Sequence, residues 1–209
     1  MYQRPAFAEA DPNRIAALIE GHPFGLLVTA EGGLDASPLP FVLRREAGGF
    51  VLEGHLAAGN PQCAQIAAGA PALAVFSGPH AYISPSWYRT RPAVPTWDYA
   101  AVHIHGRLVP VEEDRAMRAM LRALSAADAS FAMDDLPADF MAGMMRGIRA
   151  FRLPAERIEA QWKVSQNRSA GDREGVIDAL QAQGAGEVAA LIAATLPVPQ
   201  AARRLAPQV

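Results

Sequence analysis

The chain has 209 residues, of which 51% are hydrophobic, and its 19 basic and 21 acidic residues give a formal net charge of -2. This length fits one domain or one domain with a small appendage, and the 19% charged fraction is too low for an extended disordered protein. No basic block occurs, so we expect no broad nucleic-acid footprint.

The single cysteine, Cys63, excludes an internal disulfide and a metal cluster built on cysteines, and it is compatible with a reducing compartment. The sequence shows no run typical of a signal peptide and no apolar stretch of about twenty residues. We therefore expect a cytoplasmic protein without a membrane partner.

The first half of the chain predicts one helix and then several strands. Asp11 followed by Pro12 is a typical helix start, and Gly21 can end that helix. Pro38 and Pro40 cannot donate to a central ladder, so the second strand is expected at a sheet edge or in bulged form. Asn60 is expected to cap a short helix. Strands are predicted over 24–30, 34–45, 50–55 and 72–78.

The second half of the chain predicts two further strands and four helices. The strands are predicted over 101–111 and 151–165, and the helices over 112–126, 136–147, 172–184 and 186–196. One helix carries an apolar stripe that predicts core packing, formed by Met117, Met120, Leu121 and Leu124. Short strands at this spacing favour a barrel or a sandwich. We predict a single domain over 1–195 and a disordered tail over 196–209.

The segment from Pro79 to His105 has an unusual composition. It holds two of the three Trp, three of the four Tyr and three of the five His residues of the chain. Aromatic faces stack on planar rings, and their polar edges fix the orientation of a ligand. This segment is therefore the predicted wall of a site for a flat, polar ligand.

His103 and His105 alternate, so a strand would place both imidazoles on one face. Such a pair can bind a metal, contact an anionic ligand or simply be hydrogen-bonded in a barrel wall. Because the chain has no HExxH motif and no carboxylate nearby at metal-ligand spacing, we predict no metal site. Contact with a ligand and plain hydrogen bonding both stay open.

Two further segments offer polar groups to a ligand. Residues 54–61 lead from a strand into a capped helix, where free backbone N–H groups can hold a phosphate. Taken alone, that segment is more simply explained as a short loop between a strand and a helix. Residues 162–168 combine two cations, which complement phosphate, with two amides, which complement the edge of a heterocycle. The alternative for this second segment is a polar loop after a strand.

Together these segments resemble the PaiB-type family of FMN-binding proteins over about residues 1–180. The resemblance rests on Pro23-Phe24-Gly25, Leu39-Pro40-Phe41, Gly54-His55, Asn60-Pro61, Ser84-Pro85-Ser86-Trp87-Tyr88, Val94-Pro95-Thr96-Trp97, Tyr99, Val102-His103, Trp162-Lys163 and Ser165-Gln166-Asn167-Arg168. It implies a mainly β, α+β fold: a split β-barrel like that of pyridoxamine-phosphate oxidase, with peripheral helices. It also implies a homodimer with flavin in a groove between the subunits.

The resemblance further implies that FMN is the cofactor. The residues it assigns to FMN are His55, Asn60, Pro95, Thr96, Trp97, Tyr99, His103, Trp162, Lys163, Ser165, Gln166 and Arg168. The implied function is that of a negative transcriptional regulator or flavin sensor, although the missing basic block argues against direct DNA binding. An FMN-dependent oxidoreductase or flavin reductase is the alternative, for which no acid or base stands out, and a haem-binding split barrel is a third.

Four positions in three segments depart from the family pattern. Ala58 stands where the family has an arginine, Asp98 where it has an asparagine, and Ala160-Gln161 where it has Gly-Lys. The first two changes make a site less favourable to a dianionic phosphate. We therefore expect phosphate recognition to depend on Lys163 and Arg168.

Overall fold

The computed structural model describes residues 1–126 and 128–197. The helices of this part of the chain are α1 (Pro12–Gly21), α2 (Cys63–Ala67), α3 (Asp114–Ser125), α4 (Ala138–Arg146), α5 (Ala170–Ala182) and α6 (Gly186–Ala193). Its strands are β1 (Phe24–Thr29), β2 (Asp35–Pro40), β3 (Val42–Glu46), β4 (Gly49–Ala57), β5 (Pro71–Ile83), β6 (Thr96–Arg107), β7 (Val109–Val111), β8 (Ile148–Pro154) and β9 (Arg157–Lys163). Among these helices none is both long enough and apolar enough to cross a bilayer.

The strands form two antiparallel sheets with the helices outside them, which confirms the predicted α+β class. One sheet has the order β2-β1-β5-β6-β9, and the other has the order β3-β4-β8-β7. β2 lies at the edge of its sheet, as Pro38 and Pro40 predict, because neither residue has an N–H to donate to a second neighbour.

The described chain divides into two compact units. Unit 1 consists of Met1 and residues 9–78 and 101–160, and unit 2 of residues 2–8, 79–100 and those from 161 onward. Strands β5, β6 and β9 each contribute residues to both units. The single domain over 1–195 stays a prediction, and the predicted tail falls mainly on residues 198–209, outside the described part.

The strand predicted over 34–45 is two strands in different sheets. Phe41 separates β2 from β3 and is only 3% exposed. Its ring makes edge contacts with Phe76 at 5.2 Å and with Phe151 at 6.2 Å between centroids. Burying this ring in the core of unit 1 turns the chain from one sheet to the other. The strand predicted over 151–165 divides in the same way, into β8 and β9.

The predicted helices are present with small shifts at their ends. Asp11 caps α1, since its carboxylate accepts a hydrogen bond from the Asn13 N–H at 2.8 Å. Met117 and Met120 of α3 are buried in a cluster that also holds Met141 of α4, which confirms the predicted core packing. The helix expected to start at Asn60 begins later, as the five-residue α2.

A buried carboxylate fixes the loop that follows the aromatic strand β5. Asp172 of α5 is 2% exposed and accepts hydrogen bonds from the backbone N–H groups of Arg89 at 2.8 Å and Thr90 at 2.9 Å. It also accepts one from the Thr90 hydroxyl at 2.6 Å, and this bond is the main reason that the pKa of Asp172 lies below its usual value. Ser169 caps the same helix through the Asp172 N–H.

Candidate functional site

Aromatic side chains of unit 2 present their rings to solvent. Strand β5 continues past its predicted end, and the strand predicted over 101–111 begins earlier and divides into β6 and β7. Tyr82 and Trp97 are therefore strand residues, with 48% and 55% of their surface exposed. Their ring centroids lie 6.1 Å apart at an interplanar angle of 75°, and the His80 ring lies 6.3 Å from that of Trp97. We name His80, Tyr82 and Trp97 the aromatic surface. Exposed ring faces of this kind can stack on a planar ligand.

Lys163 places a positive charge beside the backbone of Trp97. Its ammonium donates to the Thr96 hydroxyl and the Trp97 carbonyl, and it lies 3.6 Å from the Asp98 carboxylate. The structure thus brings together three of the predicted site residues, Thr96, Trp97 and Lys163. The donors of this lysine are already engaged by acceptors of the protein.

Asp98 points inward and not toward a ligand. It is 1% exposed and accepts a 2.6 Å hydrogen bond from the hydroxyl of Ser165, whose φ of 56° is unusual for a residue other than glycine. Burial raises the pKa of Asp98, although Ser165 and Lys163 oppose that shift. We name Asp98, Lys163 and Ser165 the Asp98 cluster; Asp98 and Ser165 are buried, and the Lys163 side chain is partly exposed. The cluster accounts for part of the donor-rich segment through interactions within the protein.

Other residues of the donor-rich segment also contact the backbone. The Gln166 side chain donates to the Trp162 carbonyl and accepts from the Val164 N–H at 2.8 Å. Trp162 is 5% exposed, so its ring belongs to the interior of unit 2. On the preceding strand, Gln161 donates to the Tyr99 hydroxyl, while its own side-chain oxygen is buried without a hydrogen-bond partner.

Arg168 has a different environment from the other predicted polar residues of unit 2. Its guanidinium carbon lies 4.4 Å from the centroid of the Tyr88 ring, a cation–π contact. Within the described part of the chain, no carboxylate lies within ion-pair distance of Arg168, whereas its neighbour Arg89 pairs with Glu174 at 3.1 Å. Arg168 therefore keeps a charge that a phosphate can neutralise.

Another residue assigned to FMN, Pro95, lies just before β6 and is exposed.

His55 and Asn60 belong to unit 1. His55 is on β4; its Nδ1 atom is buried without a partner, and burial lowers the pKa of the ring. The Asn60 amide donates to the Ser37 hydroxyl at 3.0 Å. The backbone N–H groups of Ala58, Asn60, Gln62 and Cys63 are all hydrogen-bonded within the protein. This arrangement leaves fewer free donors for a phosphate than the sequence predicts.

His103 also lies in unit 1, on β6, where its Nδ1 atom is 3.9 Å from the carboxylate of Glu159. Sequence reasoning missed Glu159 because this residue lies on a different strand, far along the chain. Tyr82 falls within the segment predicted as the wall of the site, although it was not among the residues assigned to FMN. If the pairing of β6 with β9 had been predicted from the sequence, it would have placed Glu159 near the two histidines.

Comparison with known proteins identifies relatives of this chain. Residues 1–157 match the family described as "Putative FMN-binding domain". The chain is 35% identical over 186 residues to the protease synthase and sporulation protein PAI 2 of Bacillus subtilis (strain 168), with 87% of this chain and 89% of that protein aligned. The family match and this relative assign the chain to a family, whereas the structural similarities below concern the fold alone.

Two solved structures share the fold at low sequence identity. The flavocytochrome Anf3 from Azotobacter vinelandii superposes with a TM-score of 0.57 at 11% identity, over 78% of this chain and 72% of that one. The FAD and heme binding protein from Mycobacterium smegmatis gives 0.54 at 14% identity, over 75% and 73%. The fold is the predicted split barrel of the pyridoxamine-phosphate-oxidase type, and the cofactor is FMN. The chain belongs to the PaiB-type family of FMN-binding proteins.

Proposed function

We propose that this protein is a flavin sensor of the PaiB type, which holds FMN at unit 2 and represses transcription without binding DNA itself. The observation that carries the proposal is the combination, in one unit, of the exposed aromatic surface and the uncompensated charge of Arg168. A planar ring and a phosphate are the two chemical features of FMN that such groups recognise.

The residues of unit 2 fit FMN in their chemistry. Tyr82 and Trp97 would hold the flavin ring, and Arg168 would hold the phosphate. The buried side-chain oxygen of Gln161, which lacks a partner, is an acceptor of the kind that a flavin N–H requires. When bound, FMN supplies a ring that accepts and releases electrons.

A sensor fits the local chemistry better than an enzyme. Two ionisable groups beside Trp97, Lys163 and Asp98, lie 3.6 Å apart, and Asp98 also accepts a hydrogen bond from Ser165. A general acid or base must reach the proton that it transfers, and neither group is free to do so here. The alternative of an FMN-dependent oxidoreductase thus gains no support from these two residues.

The charge distribution supports regulation without direct DNA contact. Seven arginines of the described part of the chain form ion pairs with acids of the same chain; they are Arg14, Arg44, Arg45, Arg89, Arg122, Arg152 and Arg157. Tight DNA binding requires several cations that neutralise phosphates. With these pairs formed and a net charge of -2, we expect the protein to act on transcription through a partner protein.

The proposal includes a homodimer, as the family resemblance implies. Light scattering at micromolar concentration should then give twice the chain mass of 22.2 kDa. A mass of one chain would contradict this part of the proposal and leave the FMN site to be tested separately.

Titration with FMN, followed by visible absorption and by quenching of tryptophan fluorescence, tests the site. Trp97→Ala should weaken FMN about ten-fold or more, since stacking on an aromatic ring contributes roughly 1–3 kcal/mol. Phe24→Ala removes a similarly exposed ring from unit 1, at 67% exposure, and should leave the affinity unchanged. Equal losses in both variants would overturn the assignment of the ring site.

Two further assays of the FMN-loaded protein test the role. We expect no sustained NADH oxidation and no specific complex in a competition gel shift with DNA from the protein's own promoter region. Multiple turnovers with NADH would establish the flavin reductase alternative. A nanomolar DNA complex that survives excess unrelated DNA would establish a direct repressor.

A further inference from the structure

A second polar cluster lies in unit 1, among residues that the FMN proposal does not require. The alternation of β6 places His103 and His105 on one face, and Glu159 of β9 lies against them. The Glu159 Oε2 atom is 3.0 Å from His105 Nε2 and 3.9 Å from His103 Nδ1. The three potential ligand atoms lie within 4.8 Å of one another.

We propose that His103, His105 and Glu159 form a binding site for a divalent transition-metal ion, with Zn²⁺ as the best fit. Two imidazoles and one carboxylate are a donor set that zinc and its neighbours accept, and hard ions such as Mg²⁺ prefer oxygen alone. The site would provide three protein ligands and leave at least one position open. The sequence predicted no metal because it shows no carboxylate near the two histidines.

The geometry needs only small movements to hold an ion. Zinc lies about 2.0–2.2 Å from nitrogen and oxygen ligands, which puts tetrahedral ligands about 3.4 Å from each other. The His105–Glu159 distance of 3.0 Å has to lengthen and the His103–Glu159 distance of 3.9 Å has to shorten, each by about half an ångström. The side chains are 15–26% exposed, so an ion from solvent can reach them.

Two positive groups hold the carboxylate in the metal-free state. The amino group of Met1 lies 2.6 Å from Glu159 Oε2, and Arg157 bonds to Oε1. Arg157 also lies 3.0 Å from His105 Nδ1, to which it donates. An ion bound to His105 Nε2 requires the proton on Nδ1, so this last contact must break. A metal ion therefore has to compete with Arg157 and the amino group, and this competition lowers its affinity.

Titration of the untagged full chain with Co²⁺, read from the visible spectrum, and with Zn²⁺, read by calorimetry, tests the proposal. We expect one ion per chain and a loss of about ten-fold or more in affinity for His103→Ala and for Glu159→Gln. His22→Ala removes a histidine from the end of α1 and should bind like the wild type. Arg157→Gln removes the competing cation and should bind several-fold more tightly.

Three outcomes would overturn the site. They are no binding by the wild type at millimolar Co²⁺, unchanged binding by a folded His103→Ala variant, and equal losses in His22→Ala and His103→Ala. Circular dichroism establishes folding, and His105→Ala replaces any variant that does not fold. Because the site lies in unit 1 and the readout is metal binding, failure here leaves the FMN proposal standing, and the converse also holds.

Discussion

The two strands β6 and β9 carry two polar clusters of opposite character. In unit 2, Asp98 is almost fully buried, Ser165 donates a hydrogen bond to it, and the Lys163 ammonium lies 3.6 Å from its carboxylate. In unit 1, Glu159 and its histidines are partly exposed, and the carboxylate is held by charges that can move away. Burial thus decides whether a cluster of charges organises the backbone or stays available to a ligand.

The largest expected effect comes from a substitution next to the cluster of His103, His105 and Glu159. Gly106 follows His105 on β6, and a Cβ atom there would lie 2.1 Å from the backbone oxygen of Pro154. Backbone cannot yield as a side chain does, so Gly106→Ala should lower the free energy of unfolding by about 3 kcal/mol or more. Urea denaturation measures this loss. Gly48→Ala, at a position with no atom within 4 Å, should be nearly neutral.

A second pair of variants tests whether the cluster of Asp98, Lys163 and Ser165 stabilises the fold. Asp98→Ala leaves the Ser165 hydroxyl without its acceptor and removes the partner of Lys163, so we expect a loss of about 2 kcal/mol in unfolding free energy. Asp98→Asn keeps an acceptor of the same shape and removes a poorly solvated charge, so its effect should be below about 1 kcal/mol. Equal effects of the two variants in urea would contradict this view of the cluster.

A third prediction separates the two cations of unit 2. Charge-assisted contacts to phosphate are worth roughly 1.5–3 kcal/mol, so Arg168→Ala should weaken FMN about ten-fold or more and riboflavin much less. Lys163→Ala should weaken FMN and riboflavin to the same extent, because this lysine supports the backbone of Trp97. Titration of both variants with both ligands gives the answer. If Arg168→Ala affects the two ligands equally, Arg168 does not contact the phosphate.

The smallest expected effect is a pair of opposite pH dependences. The pKa of Asp98 is raised in the folded state, so its contribution to stability is present at low pH and is lost as the pH rises through that raised value. The pKa of Asp172 is lowered, so its contribution is present above the unfolded-state value and is lost as the pH falls. Unfolding experiments on Asp98→Asn and Asp172→Asn across the acidic range should show differences from wild type of opposite slope.

Short-range sequence patterns predicted much of this fold. Asp11 with Pro12 predicted the start of α1, and the spacing of Met117 and Met120 predicted the buried face of α3, because capping and helical periodicity involve residues only a few positions apart. The prolines of β2 predicted an edge strand for the same reason.

The parts that were missed depend on contacts between distant residues. No local pattern shows that Phe41 separates two strands, since the cause is its packing against the distant rings of Phe76 and Phe151. Asp98 was expected to disfavour a phosphate because it stands where the family has an asparagine; its burial depends on Ser165, which lies on a separate segment. Glu159 joined the two histidines only once β6 and β9 were both in place.

The hydrogen bonds that Asp172 accepts have a consequence for the loop at Arg89 and Thr90. Amide protons exchange with solvent only when their hydrogen bonds open, and these two donate to a buried carboxylate. Although the segment reads as an exposed, proline-rich connection, its amides should exchange as slowly as those of a strand. The peptide bond after Arg89 should then resist trypsin in the native protein and become a cleavage site once Asp172 is replaced.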